Sequence, residues 1–250
     1  MNIVTIEHLT KSYTERLLFD DTDFSIQEGE KVGLIGINGT GKSTLLKIVA
    51  GLEEPDSGTV VRRRNLDIRY LPQNPQFTAG DTILEAIVRE NEGHSHVWDL
   101  ESQAKTMLTK LGIYDFDAKV ETLSGGQRKR IALVSALLST AELLVLDEPT
   151  NHLDSEMADW LEDYPKKFKG ALLMITHDRY FLDSVTSRIV ELDKGKFYSY
   201  QANYEGYLKL KAERMDMALA SERKRQSILR TELEWLMRGA RARSTKQKAH

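Results

Sequence analysis

Gly36-Ile37-Asn38-Gly39-Thr40-Gly41-Lys42-Ser43 decides how this sequence is read. It matches G-x-x-x-x-G-K-[ST], and its flanks supply the context that pattern needs. Residues 31–35 before it are a compact apolar run that reads as a strand. After it Leu45, Leu46, Ile48, Val49 and Leu52 fall at helical spacing, until Gly51 and Pro55 stop the helix. Strand, glycine loop and helix together aim backbone amides and a helix N-terminus at an anion. Gly36, Gly39 and Gly41 let the backbone close on phosphate oxygens, with Asn38 between them. Lys42 supplies a fixed positive charge, Ser43 offers a hydroxyl to magnesium, and Thr44 completes the candidate nucleotide-binding set. Out of this context the same residues would be a glycine-rich turn joining two elements.

Outward from the loop, residues 3–9 and 24–26 alternate apolar and polar like strands, and residues 59–61 and 66–71 read as two more, completing a small antiparallel sheet. Residues 82–90, 97–111 and 127–138 form a helical block. Beyond it, residues 143–146 and 172–175 are short apolar runs entering polar tips, with a helix at about 156–164 between them. Alternation of this kind implies βαβ crossovers and a parallel sheet with ligands at the strand C-terminal ends. Residues 187–192 and 195–200 read as closing strands. The run at 143–146 leads into Asp147 and Glu148, which it projects at the same sheet edge as the phosphate loop. There Asp147 would hold magnesium and Glu148 would position or deprotonate an attacking water. Standing alone, such a pair is more often a helix cap.

Composition agrees with a folded chain: 250 residues, 40% hydrophobic and 29% charged, room for one sizeable core. No apolar run approaches the roughly 20 residues of a membrane span, and the N-terminus lacks a signal-peptide pattern. With no cysteine there is no disulfide framework, which suits a cytoplasmic setting. The net charge of −3 hides an asymmetry. Residues 209–250 carry 12 basic and 5 acidic residues, leaving 23 basic and 33 acidic residues in the first 208. The tail is either a surface for a polyanion or a solvated helix face. From Tyr207 to Arg238 there is neither glycine nor proline, and Leu208, Met215, Leu219, Leu229, Leu233 and Leu236 fit one side of a long helix that needs a partner.

Leu123-Ser124-Gly125-Gly126-Gln127 opens the helix at 127–138 and by itself reads as an N-cap and anion nest. Combined with the phosphate loop and the acid pair at these separations, it resembles the signature of ATP-binding-cassette proteins. The resemblance implies an α/β fold: a P-loop NTPase (RecA-like) parallel-sheet core with an antiparallel β subdomain and an α-helical subdomain at about 80–140. Residues 1–203 would form the cassette, and 204–250 a basic helical linker between two cassettes. It also implies ATP and Mg2+ as cofactors. Tyr13 would stack on adenine, Gln73 would sense magnesium and the γ-phosphate, and His177 would contact the γ-phosphate as a switch. Glu148, His177 and Gln73 are then the catalytic candidates, Ser43, Gln73 and Asp147 the metal candidates. Ser124, Gly125, Gly126 and Gln127 would bind the nucleotide of a second cassette, so one chain alone would hydrolyse weakly.

Asn151-His152-Leu153-Asp154, Thr176-His177-Asp178-Arg179-Tyr180-Phe181-Leu182-Asp183 and the stretch from Tyr200 into Trp235 are similar to the ABC-F translation factors, and most like the Uup type. That resemblance implies a second cassette, in a missing half beyond a truncated linker or in a second copy of the chain, and a ribosome with rRNA and tRNA as partner, met through Arg238, Arg241, Arg243, Lys246 and Lys248 near the linker tip. It implies no membrane. Only 49 residues separate Gln73 from Leu123, too few for the helical arm some members insert there. The soluble motor of a membrane transporter and a non-catalytic nucleotide-gated module are the alternative readings.

Overall fold

The computed structural model describes residues 1–91, 97–151 and 153–246, with backbone alone at 97–98 and 232–246. His152 and Lys248 lie outside the described residues, and the basic positions Arg238, Arg241, Arg243 and Lys246 enter as helical backbone. The chain divides into two compact units, Met1–Tyr204 and Glu205–His250.

The first unit is built in the order β1 (Asn2–Tyr13), β2 (Arg16–Gln27), β3 (Lys31–Ile35), α1 (Lys42–Ala50), β4 (Ser57–Arg62), β5 (Ile68–Leu71), α2 (Ile83–Glu90), α3 (Val97–Lys110), α4 (Gly125–Leu138), β6 (Leu143–Asp147), α5 (Ser155–Lys167), β7 (Ala171–Ile175), α6 (Arg179–Val185), β8 (Arg188–Asp193) and β9 (Lys196–Tyr200). β1, β2 and β4 make an antiparallel sheet in the order β2-β1-β4. The other six strands make a second sheet in the order β5-β6-β7-β3-β8-β9. Its first five strands run parallel, and β9 adds an antiparallel edge. β6 and β7 are buried at every residue, as strands covered on both faces must be. One apolar cluster draws Ile6 and Phe19 from the small sheet, Leu46 and Ile48 from α1, and Val145 and Leu173 from the large sheet.

The strand expected at 66–71 belongs to the parallel sheet and not to the antiparallel one. After β4 the chain reverses at Asn65, in a left-handed conformation, with Leu66 N–H donating to the Arg63 carbonyl at 3.1 Å. Glu142 and Leu143 N–H both donate to the Asp67 carbonyl, at 3.0 and 3.1 Å, which sets Ile68 beside Leu143 in parallel register. The hairpin of β1 and β2 is also longer than its alternation suggests. Register shifts between Ile6 and Ser12 break the period of two, and His8 and Asp21 take left-handed backbone there. The short helix α6 lacks the length for a period, yet Asp178 caps it by accepting from Tyr180 and Phe181 N–H at 3.1 Å each.

Helices α2, α3 and α4 pack on one another. Thr82 with Glu85 and Ser124 with Gln127 form reciprocal capping boxes at the starts of α2 and α4. In the second unit one helix, α7 (Tyr204–Lys246), runs 43 residues, about 65 Å at 1.5 Å per residue. It continues through Gly239, because a single glycine costs only about 1 kcal/mol in a helix and Ala240, Arg241 and Ala242 favour it. Leu208, Met215, Leu219 and Leu229 are all exposed along it.

A buried arginine bonds β8 to β2 and its following turn. Arg188 Nη2 donates to the Ser25 carbonyl at 2.5 Å and to Glu30 Oε2 at 3.1 Å, and burial pulls its pKa down against the opposing pull of Glu30. Removing one member strands a desolvated charge. Glu30→Ala is expected to lower the unfolding free energy by about 3 kcal/mol, read as a lower urea midpoint; an unchanged midpoint would mean that Arg188 needs no counter-ion.

Candidate nucleotide site

The phosphate loop leaves the C-terminal end of β3 and enters α1, and two of its glycines are demanded by their surroundings. Gly36 has φ 155, and a Cβ there would lie 2.6 Å from the Leu192 carbonyl oxygen. Gly41 has φ 104, with Leu18 Cβ and Phe19 Cζ at 3.2 and 3.3 Å from where a Cβ would sit. The Lys42 amine donates to the Gly36 and Ile37 carbonyls at 2.8 and 3.0 Å, curling over the loop. Burial lowers its pKa, while Glu148 and then Asp147 hold its charge.

Asp147 ends β6 and is 4% exposed; Glu148 follows at 8%. Ser43 and Asp147 line the same cleft, and the Ser43 side chain draws the Asp147 pKa down against burial. Glu148 has φ 55, uncommon outside glycine, and is held there because its N–H donates to the Ile175 carbonyl at 2.9 Å and its carbonyl accepts from Asn151 N–H at 3.3 Å. Its Oε1 lies 3.3 Å from His177 Nε2. The Thr150 and Thr176 hydroxyls, 2.7 Å apart, tie the segments after β6 and β7 together beneath this pair.

These groups open onto one cleft of about 440 Å³. Tyr13, Asn38, Gly39, Gly41, Lys42, Ser43, Thr44, Gln73, Asp147, Glu148 and His177 all line it. Gly36 shapes the loop without lining the cleft. Ser124, Gly125, Gly126 and Gln127 stand elsewhere, at the start of α4. Leu18 and Ile175 also line the cleft, and neither was singled out from the sequence. Their only signal is membership of strands whose tips frame the loop.

The groups present fit magnesium with a nucleotide. A hydroxyl and a carboxylate lining one cleft, beside a lysine and an amide-rich loop, suit an ion that takes one or two protein oxygens and the rest from phosphates and water. Among the described residues no group of three or more His, Cys, Asp or Glu could hold a metal unaided. A magnesium ion held by Ser43 and Asp147 would supply positive charge that offsets the phosphates. What the chain itself contributes is the Lys42 charge and the loop amides, with the Glu148 carboxyl lining the same cleft.

Residues 19–151 match a family model described as ABC transporter, and residues 190–250 match a second with the same description. The chain belongs to the ABC transporter family. Its first unit is an ATP-binding cassette of that family. An uncharacterized ABC transporter ATP-binding protein of Bacillus subtilis, YfmR, is 45% identical over 285 residues, covering 100% of this chain and 45% of its own. The energy-dependent translational throttle protein EttA of Mycobacterium tuberculosis is 36% identical over 282 residues, 99% of this chain and 50% of its own. EttA of Escherichia coli K12 is 34% identical over 276 residues, 94% and 49%. The chain thus spans about half the length of these relatives. Among solved structures, the ATP binding subunit of an ABC transporter has a TM-score of 0.72 at 23% identity, over 84% of this chain and 99% of its own. A dimeric ATP-binding cassette in a post-hydrolysis state, bound to ADP and Pi, has 0.66 at 24%, over 79% and 98%. These two likenesses confirm the fold.

Burial pushes the carboxyl groups of Asp147 and Glu148 up, and for both it outweighs the neighbouring positive groups. A carboxyl raised in the folded state binds more protons folded than unfolded, so its ionisation costs stability as pH rises from the unfolded value through the raised one. Asp147→Asn is therefore expected to raise the Tm of the nucleotide-free protein at pH 7.5, by a margin that shrinks as pH falls into the carboxylate range. A lower Tm at neutral pH would mean that Asp147 is stabilised by its partners more than burial opposes it.

Proposed function

We propose that this cassette hydrolyses ATP in a protein with two cassettes, and that closure of the pair on ATP sets the pose of a basic helical linker on the ribosome. The observation that carries the reading is the division of the site. The phosphate loop, Asp147, Glu148, Gln73 and His177 share one cleft, while Ser124 to Gln127 cap α4 away from it. A Cβ at Gly125 would meet nothing within 4 Å, and its φ is not of the kind that requires glycine. Among the described residues nothing calls for a glycine there, which favours a backbone surface kept bare for a nucleotide held by a second cassette. The chain's span of about half of its relatives supports that second cassette being on the same polypeptide.

In this reading the amides of the phosphate loop and Lys42 hold the β- and γ-phosphates, and Tyr13 carries the base. Ser43, Asp147 and Gln73 serve the magnesium ion. Glu148 orients and deprotonates the attacking water, with His177 beside it at the γ-phosphate. Two observations favour the ribosome over a membrane partner: the translational name of the EttA relatives, and the 12 basic against 5 acidic residues of 209–250. Among the described residues no helix is long and apolar enough to cross a membrane. A cytoplasmic location accords with such a partner.

The test is co-sedimentation of the full-length protein with 70S ribosomes, carrying Glu148→Gln and the matching change in its second cassette. ATP-dependent pelleting that persists at moderate salt is expected. Pelleting that ignores ATP, or none, would remove the ribosome and favour the motor of a membrane transporter.

A further inference from the structure

Three consecutive residues at the end of β1 are each bonded to the segment that follows α1. Lys11 Nζ donates to the Glu54 carbonyl at 2.8 Å and lies 3.5 and 3.2 Å from the carboxylates of Glu53 and Asp56. Ser12 N–H donates to Asp56 Oδ2 at 2.7 Å. The Tyr13 hydroxyl donates to Glu53 Oε1. Asp56 N–H closes the set by donating to the Thr10 carbonyl at 3.0 Å. The segment is itself fixed, because Gly51 ends α1 in a left-handed conformation with its N–H on the Ile48 and Lys47 carbonyls.

Tyr13 occupies an unusual position within this set. The residue is 47% exposed and lines the nucleotide cleft. An exposed aromatic ring is ordinarily free to change rotamer, and ordering it on binding has an entropic cost. Here the far end of the ring is tied down: Glu53 accepts its hydroxyl, and that bond raises the phenol pKa. Lys11 Nζ sits 5.6 Å from the ring centroid and 3.5 Å from the Glu53 carboxylate, whose side chain is 18% exposed.

We propose that Glu53 is a positioning residue for the nucleotide base: by holding the Tyr13 hydroxyl it fixes the ring as a preorganised platform at the rim of the cleft. The inference rests on the reading of Tyr13 as the base platform and assigns the residue that sets its pose. It follows that Glu53 acts on the affinity for nucleotides that carry a base, and has no effect on the phosphates, which are held by the loop and α1. It follows also that Glu53 and Tyr13 act as one unit, since each is effective only through the bond between them.

The test is equilibrium binding of ATP and of inorganic tripolyphosphate, each with Mg2+, to the chain and its variants. Glu53→Ala is expected to weaken ATP roughly 3- to 10-fold, the scale of one side chain left to be ordered on binding, and to leave tripolyphosphate unchanged. Glu53→Gln, which keeps an acceptor, should recover most of the ATP affinity. Tyr13→Phe should match Glu53→Ala, and the double variant should be no worse than either. Equal weakening of ATP and tripolyphosphate by Glu53→Ala would overturn the proposal in favour of a general structural role, as would unchanged ATP affinity. Tyr13→Ala separates the two levels. If it weakens ATP while Glu53→Ala does not, only the role of Glu53 fails; if it leaves ATP untouched, the platform reading fails with it.

Discussion

Two carboxylates at the tip of a strand buried on both faces have to be balanced by positive charge, and much of the site's geometry serves that balance. Burial alone would drive Asp147 and Glu148 toward their protonated forms. Lys42 and the hydroxyl of Ser43 oppose this for Asp147 from the first turn of α1, which explains why the phosphate loop and β6 must end close together. The sheet order β6-β7-β3 achieves it with one strand between them. That intervening strand, β7, brings Ile175 and His177 to Glu148. The left-handed backbone of Glu148 is the local strain that accompanies this convergence, and two backbone hydrogen bonds hold it.

The same topology was largely readable in the sequence, for reasons that differ by element. Residues 31–35, 143–147 and 171–175 are short apolar runs entering polar or glycine-rich tips, and a strand buried on both faces leaves that mark whatever its neighbours are. The phosphate loop and acid pair were readable because their chemistry permits few substitutes. Other features depended on partners far along the chain. Residues 68–71 join the parallel sheet because Asp67 meets Glu142 and Leu143, and no local pattern announces that meeting. The hairpin of β1 and β2 was cut short in the sequence reading because its bulges interrupt the alternation. Tyr13 could be named from resemblance, whereas its tie to Glu53 required the loop after α1 to fold back onto β1.

In the proposed reading, what the cassette does with its nucleotide depends on a second half of the site. A capping box at Ser124 and Gln127 explains why α4 begins where it does, but it does not explain Gly125, which has open space around it. A helix start with bare backbone offers N–H groups to an anion only if something delivers one. In a pair of cassettes that delivery is reciprocal, and closure would bring each phosphate loop to the other's α4. The long helix α7, with apolar residues exposed along it and a basic end, suits a lever between two such bodies more than an independent element.

The central claim is that the cleft is half of a catalytic site. It is tested most directly by ATP turnover per phosphate loop, measured for the 250-residue chain and for the same chain continued through its linker into a second cassette, at equal loop concentrations. Turnover at least about tenfold higher in the longer protein, abolished by Ser124→Arg in the first cassette with a matching change in the second, is the predicted result. Equal turnover per loop, at concentrations where the short chain is monomeric, would contradict it.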